Sequence, residues 1–196
     1  MAKKTKDSSA QSEPEAVYQI KVTLDGIKPS IWRRIQVRGD ITLFKLHKIL
    51  QVVMGWQDYH LHQFLINGES YSVISIEADM LGDDFKDEKR FKLSRVIPGE
   101  KFKFTYEYDF GDGWGHTILV EKIFRPEKEL KAPVCLDGKR SAPPEDCGGK
   151  GGYRDVLKAL KNPSHPDSVE LREWLGEYDP EYFDAEIVNG RLKKIR

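Results

Sequence analysis

A chain of 196 residues is long enough to bury a genuine core without disulfide or metal staples, and its length points to one domain. Charged residues make up 33% of it but divide into 32 basic and 32 acidic side chains, so no global field draws the molecule onto nucleic acid or an anionic membrane. No apolar run approaches the roughly 20 residues of a membrane span or forms a signal-peptide core, and Cys135 and Cys147 are the only cysteines; together these predict a cytoplasmic protein with reduced thiols.

Residues 1–16 are Lys, Ser, Glu and Gln with almost nothing to bury, which predicts a disordered tail ahead of a single domain over 17–196. Tyr18, Ile20, Val22 and Leu24 then alternate with Gln19, Lys21, Thr23 and Asp25 before the turn formers Gly26 and Pro29, the period of a half-buried strand. Ile31 to Val37 follows at hairpin distance, with Ile31, Arg33, Ile35 and Val37 on one side. Arginines on strands usually pair across the sheet surface, so Arg33 and Arg34 are assigned that role, with a bidentate grip on a carboxylate or phosphate as the alternative. Between Thr42 and Gly55 the period changes: Leu43, Leu46, Ile49, Leu50 and Val53 predict a helix capped by Thr42 or Asp40 and stopped by Gly55. His47 falls at the edge of that stripe, as a packed or solvated histidine.

Trp56 to Phe64 leads into another strand, and Asn67-Gly68 predicts a type I′ hairpin after it. On a strand His60, His62 and Phe64 share one face, so both imidazoles could reach one cation at the short range that Zn favours, or equally bond neighbouring carbonyls. Glu77 to Arg90 is acidic and predicts a solvated excursion; Asp79 to Phe85 lacks the offsets of an EF-hand. From Phe102 every second residue is aromatic through Tyr108, the chain turns at Asp109-Phe110-Gly111-Asp112-Gly113-Trp114-Gly115, and a β-branched strand restarts at His116. Asp109, Asp112, Trp114 and His116 on such a loop could bind a cation or polarise a substrate; alternatively the aspartates cap the turn while Trp114 plugs the core.

After a Pro-punctuated connector, Val134 to Tyr153 is so rich in Pro and Gly that regular structure is not expected, and Glu145, Asp146 and Cys147 are assigned to an ordered or binding loop. Cys135 and Cys147 lack zinc-ribbon spacing, and the Gly148–Gly152 run lacks the Gly-Lys-Ser/Thr of a phosphate loop. Helices are expected over Tyr153–Leu160 and Val169–Leu175, a turn from Pro180, and a short strand within Ile187–Ile195. The predicted class is α+β: an antiparallel, hairpin-rich sheet with one helix after the first hairpin and two or three C-terminal helices.

Trp56…Tyr59-His60-Leu61-His62-Gln63-Phe64, Tyr108 to His116, Pro143-Pro144-Glu145-Asp146-Cys147-Gly148-Gly149 and Trp174-Leu175-Gly176, taken in order, make the chain resemble the Ri-plasmid ORF-3-like family from about Tyr18 to Phe183. The resemblance implies an α+β fold and an association with plasmids and insertion sequences, without a defined chemistry. It also marks a departure, since many members carry a cysteine just before the Pro-Pro pair, where this chain has Ala142; a metal site built on that thiol would be incomplete here.

The favoured reading is a soluble binding module that presents Tyr59, His60, His62, Asp109, Asp112, Trp114 and His116, with Glu145 and Asp146, as a polar-aromatic pocket for a peptide, nucleotide or partner protein. A second reading is a metal-dependent hydrolase or nuclease linked to mobile elements. There His60, His62, His116 and Asp109 or Asp112 hold a divalent metal and Glu145 or Asp146 acts as base. A third makes all these residues core and turn chemistry. Catalysis is not favoured, because the charge is neutral and no nucleophile is accompanied by clustered arginines.

Overall fold

The computed structural model describes residues 15–74, 85–162 and 168–195. In chain order the elements are β1 (Val17–Leu24), β2 (Trp32–Arg38), α1 (Leu43–Met54), β3 (His62–Ile66), β4 (Glu69–Ser72), β5 (Lys86–Asp87) and a single 3₁₀ turn (Glu88–Arg90). They continue with α2 (Leu93–Val96), β6 (Lys103–Tyr108), β7 (Trp114–Phe124), β8 (Val134–Lys139), α3 (Gly149–Lys161), α4 (Ser168–Leu175) and α5 (Ala185–Leu192). All eight strands form one sheet in the order β5-β4-β3-β6-β7-β1-β2-β8, antiparallel at every pairing except β4 with β5. The α+β class and the placing of one helix after the first hairpin and three at the C-terminal end agree with the sequence reading.

Alternation sets the two faces of the sheet. Ile20, Val22 and Leu24 of β1 and Phe104, Tyr106 and Tyr108 of β6 are buried, and the cluster they belong to runs unbroken from Tyr18 to Leu192. Helix α1 covers this face with Leu43, Leu46, Ile49, Leu50 and Val53. Thr42 caps it by accepting a bond from the Lys45 amide at 3.2 Å, and Gly55 ends it at φ 85°, a conformation that costs glycine nothing. Asn67 and Gly68 both take positive φ in the β3–β4 hairpin, as a type I′ turn demands. On the opposite, polar face Arg34 grips Glu121 with two bonds of 2.7 and 2.9 Å, and Gln19 donates to the same carboxylate, which is the cross-sheet pairing expected of it.

Five expectations are corrected. Arg33 is not on the surface: it lies on the buried face of β2, where its pattern with Ile31 and Ile35 had placed it, and all four of its hydrogen bonds go to main-chain carbonyls. Val134–Lys139 is a strand despite its flanking prolines, because β2 offers it a free edge and Gly138 leaves room for the Phe183 ring, 2.6 Å from where a Cβ would sit. Helix α3 begins at Gly149 rather than Tyr153, and Ile187 belongs to helix α5, capped by Asp184, rather than to a strand. Glu88, counted in the solvated excursion, is fully buried against His62; residues 75–84, where the calcium motif was excluded, lie outside the described residues, as does most of the 1–16 tail. Among the described residues no helix is long and apolar enough to cross a membrane.

Candidate functional site

Three connections meet at one end of the sheet: 55–61 between α1 and β3, 109–113 between β6 and β7, and 140–148 between β8 and α3. Trp56 fastens the first to the third, its indole donating to the Pro143 carbonyl at 2.9 Å while its ring stacks on Tyr108 at 4.9 Å. The Tyr108 hydroxyl accepts from the Tyr59 amide at 3.1 Å and donates to the Glu145 carboxylate, whose Oε1 also accepts from the Gln57 amide at 2.7 Å. Burial, reinforced by the Glu145 charge, pushes the Tyr108 phenol well above its ordinary range, so it stays a donor. Asp109, in the left-handed region at φ 57°, accepts from the Gly111 and Asp112 amides through Oδ1 alone.

The second half of the Gly-rich run explains how the loops come so close. A Cβ on Gly149 would sit 2.6 Å from the Asp112 carbonyl, and one on Gly152 only 1.7 Å from the Cys147 carbonyl. The α3 N-terminus can therefore press against the 109–113 turn, where the Gly148 amide donates to Asp112 Oδ2 at 3.2 Å. The carboxylate at the positive end of the helix is also favoured electrostatically.

These supports bring His60, Asp109, Glu145 and Asp146 together. His60 Nε2 lies 3.6 Å from Asp109 Oδ2, 3.5 Å from Glu145 Oε2 and 3.1 Å from Asp146 Oδ1. None of the three oxygens lies where a hydrogen bond could form, and the buried nitrogen has no hydrogen-bond partner. Asp146 also has a positive φ, 56°, at the exposed side of the cluster.

The remaining residues marked in the sequence do not join them. His60 precedes β3, so the strand rule that paired it with His62 does not reach it. His62 instead stacks on His47 with ring centroids 3.4 Å apart and meets Glu88 at 2.9 Å. There the bonds close a network: Gln51 donates to the Tyr106 hydroxyl, Tyr106 to His47 Nδ1, and His47 Nε2 to Asp58. Burial depresses the His47 pKa, which fits that neutral tautomer; Asp58, pushed up by burial, is nonetheless held at about 2 by His47 and Lys48. His116 is fully buried, and desolvation takes its pKa down to about 4 against the pull of bonds to the Tyr106 and Trp114 main chain. Trp114 is core, and Asp112 accepts from the Gly148 amide just ahead of α3. Cys135 and Cys147 are both free thiols.

Beside the four-residue cluster opens a cleft of about 540 Å³, walled by the end of α1, the 141–146 loop, the end of α4 and helix α5. Arg33 forms its floor, donating to the carbonyls of Val53, Trp32, Lys139 and Arg140 at 2.7–2.9 Å and stacking on Phe183. Burial lowers its pKa to about 10, yet it remains a cation at neutral pH. Tyr59, Trp174, Tyr182 and Ile187 line the cleft and are all exposed. Of these only Tyr59 carried a functional reading in the sequence; Trp174 was read as one residue of an apolar helix face, and the burial of Arg33 was the signal left unused.

The fold and its loops define an α+β protein with a His-carboxylate cluster at the rim of an aromatic cleft. The chain belongs to the plasmid pRiA4b ORF-3-like protein family, which it matches over residues 16–187. It is similar to the uncharacterized protein y4hQ of Sinorhizobium fredii (strain NBRC 101917 / NGR234), at 38% identity over 175 residues, 89% of this chain and 87% of that one. It is also similar to the crystal structure of the protein of unknown function MM3350 from Methanosarcina mazei Go1. That likeness has a TM-score of 0.80 at 40% identity and covers 89% of this chain and 98% of the other. Ala142, where the family resemblance placed a cysteine, is buried, and its carbonyl accepts from the Tyr178 hydroxyl.

Proposed function

We propose that the protein is a binding module that holds a peptide segment of a partner protein in the cleft between α1, the 141–146 loop and the C-terminal helices. The observation that carries this reading is the gathering of Tyr59, Trp174, Tyr182 and Ile187, four exposed large apolar side chains, around one concavity. Exposed apolar surface costs solubility and persists where a partner covers it, and aromatic rings supply most of the energy of such contacts. Arg191 and Asp184 on one wall and Glu145 and Asp146 on another offer both signs of charge, which suits a polypeptide better than a phosphate-bearing nucleotide that the carboxylates would repel. A cytoplasmic setting, in keeping with two free thiols, is part of the same proposal.

Selection from a displayed peptide library on the full chain tests it, with Trp174→Ala/Tyr182→Ala as the counter-target. Both side chains are exposed, so the variant should fold as the parent does. The proposal expects enriched peptides that lose at least tenfold in affinity for the variant, as removal of two aromatic anchors implies. Peptides that bind both proteins equally, or an empty selection, would count against it.

A further inference from the structure

Three carboxylates and one imidazole converge at the cleft rim, and what they lack is a countercharge. Among the described residues no Lys or Arg forms an ion pair with Asp109, Glu145 or Asp146, whose only such contact is His60. Of the two more buried acids, Asp109 has one oxygen committed elsewhere and the other turned inward. Asp109 spends Oδ1 on two turn amides and turns Oδ2 toward His60, whereas Glu145 accepts from the Gln57 amide through Oε1 and from the Tyr108 hydroxyl, 3.1 Å from Oε1 and 3.2 Å from Oε2, with Oε2 also facing His60. Asp109 is more than nine-tenths buried, and no donor reaches its inward oxygen.

The separations decide what would fit. Ligand atoms bonded to one ion at about 2.1 Å stand about 3.4 Å apart in a tetrahedron and about 3.0 Å apart at adjacent octahedral corners. The three distances from His60 Nε2 are 3.1, 3.5 and 3.6 Å, and the oxygens sit off the line a hydrogen bond needs. A set of His60, Asp109 and Asp146 has all its ligand atoms within 4.8 Å of one another.

We propose that His60 Nε2, Asp109 Oδ2 and Asp146 Oδ1 form a binding site for one divalent transition cation, Mn²⁺ or Zn²⁺, with the Glu145 carboxylate beside it. One nitrogen with two carboxylate oxygens suits these ions better than Ca²⁺, which takes six to eight oxygens. The cation offsets the mutual repulsion of the three acids and uses the orphaned imidazole nitrogen. The His47, Asp58 and His62 group has comparable spacing but does not compete, because its nitrogens already bond Asp58 and Glu88. The site does not depend on the peptide reading, since the cation binds whether or not the cleft is filled.

The test is titration of the tag-free, chelator-stripped full chain with MnCl₂, bound ion being read from loss of the free Mn²⁺ electron paramagnetic resonance signal, with ZnCl₂ as competitor. One equivalent is expected, displaced by Zn²⁺. Asp109→Asn and Asp146→Asn should each weaken it at least tenfold, and His62→Gln should leave it unchanged. Asp146 is exposed, so Asp146→Asn cannot act by unfolding the protein. No binding at millimolar Mn²⁺, or binding that survives both Asp→Asn changes, or loss in His62→Gln alone, overturns the site.

Discussion

Replacing Arg33 by methionine keeps the length of the side chain and removes the guanidinium that ties the cleft floor together. Four main-chain carbonyls, on Trp32, Val53, Lys139 and Arg140, then lose a donor held at 2.7–2.9 Å. At a net value of about 1 kcal/mol for each bond, the loss is about 4 kcal/mol. For a chain of this size that lowers the melting temperature by roughly 8–16 °C. Lysine keeps the charge but cannot span four acceptors with one ammonium, so Arg33→Lys should cost about half as much. Urea unfolding followed by circular dichroism measures both, as a fall in midpoint at constant slope. Because the carbonyls belong to β2, the end of α1 and the end of β8, the cleft walls should loosen in step with the stability loss. An Arg33→Met protein within about 1 kcal/mol of the parent would refute the idea that this residue ties those elements.

Three further outcomes follow from the same packing. Burial holds His116 near a pKa of about 4, below the 6.5 of an exposed imidazole, so the unfolded chain takes up its proton first. Its contribution to stability is fully present above pH 6.5 and falls away as the pH drops, by about 3 kcal/mol at pH 4. Urea midpoints for His116→Leu should decline less steeply between pH 7 and 4 than the parent's, with a residual slope from His47; equal slopes would contradict the burial argument. In α3, Gly151→Ala has open space and should stabilise by up to about 1 kcal/mol, whereas Gly152→Ala drives a methyl into the Cys147 carbonyl and should cost about 2–3 kcal/mol. Thermal melts that rise in both variants would contradict the close approach of α3 to the Cys147 carbonyl. Tyr108→Phe deletes a buried hydroxyl that bonds the Tyr59 amide and positions Glu145 beside the cluster; it should cost about 2 kcal/mol of stability and weaken the cation severalfold, as urea unfolding and Mn²⁺ titration would show.

Helix α1 was legible because its apolar period and both caps are local signals, and the β6–β7 hairpin because aromatic alternation ends in a Gly-Asp turn. Strand β8 and the start of α3 were not, since glycine and proline were read for their local preference. Gly138 and Gly152 instead answer to Phe183 and the Cys147 carbonyl, neighbours in space that composition cannot reveal. The site was legible residue by residue rather than as a set. His60, Asp109, Glu145 and Asp146 were all marked, but counting strand positions tied His60 to His62, and the strand begins at His62, two residues too late for that rule to apply. Arg33 and Trp174 acquire their roles from the packing of C-terminal segments whose placement no spacing encodes.

The chain carries four tryptophans, and their indole N–H resonances form a built-in reporter. Trp174 and Trp56 line the cleft, Trp114 is buried in the core, and Trp32 lies outside it on the polar face of the sheet, beneath Lys21. The most direct measurement is the proton–nitrogen spectrum of these indoles during titration with a library-selected peptide. A cleft-binding module predicts saturable movement of Trp174, a smaller movement of Trp56, and a stationary Trp32. Peptide binding that shifts Trp32 while Trp174 stays in place would contradict the assignment of function to this cleft.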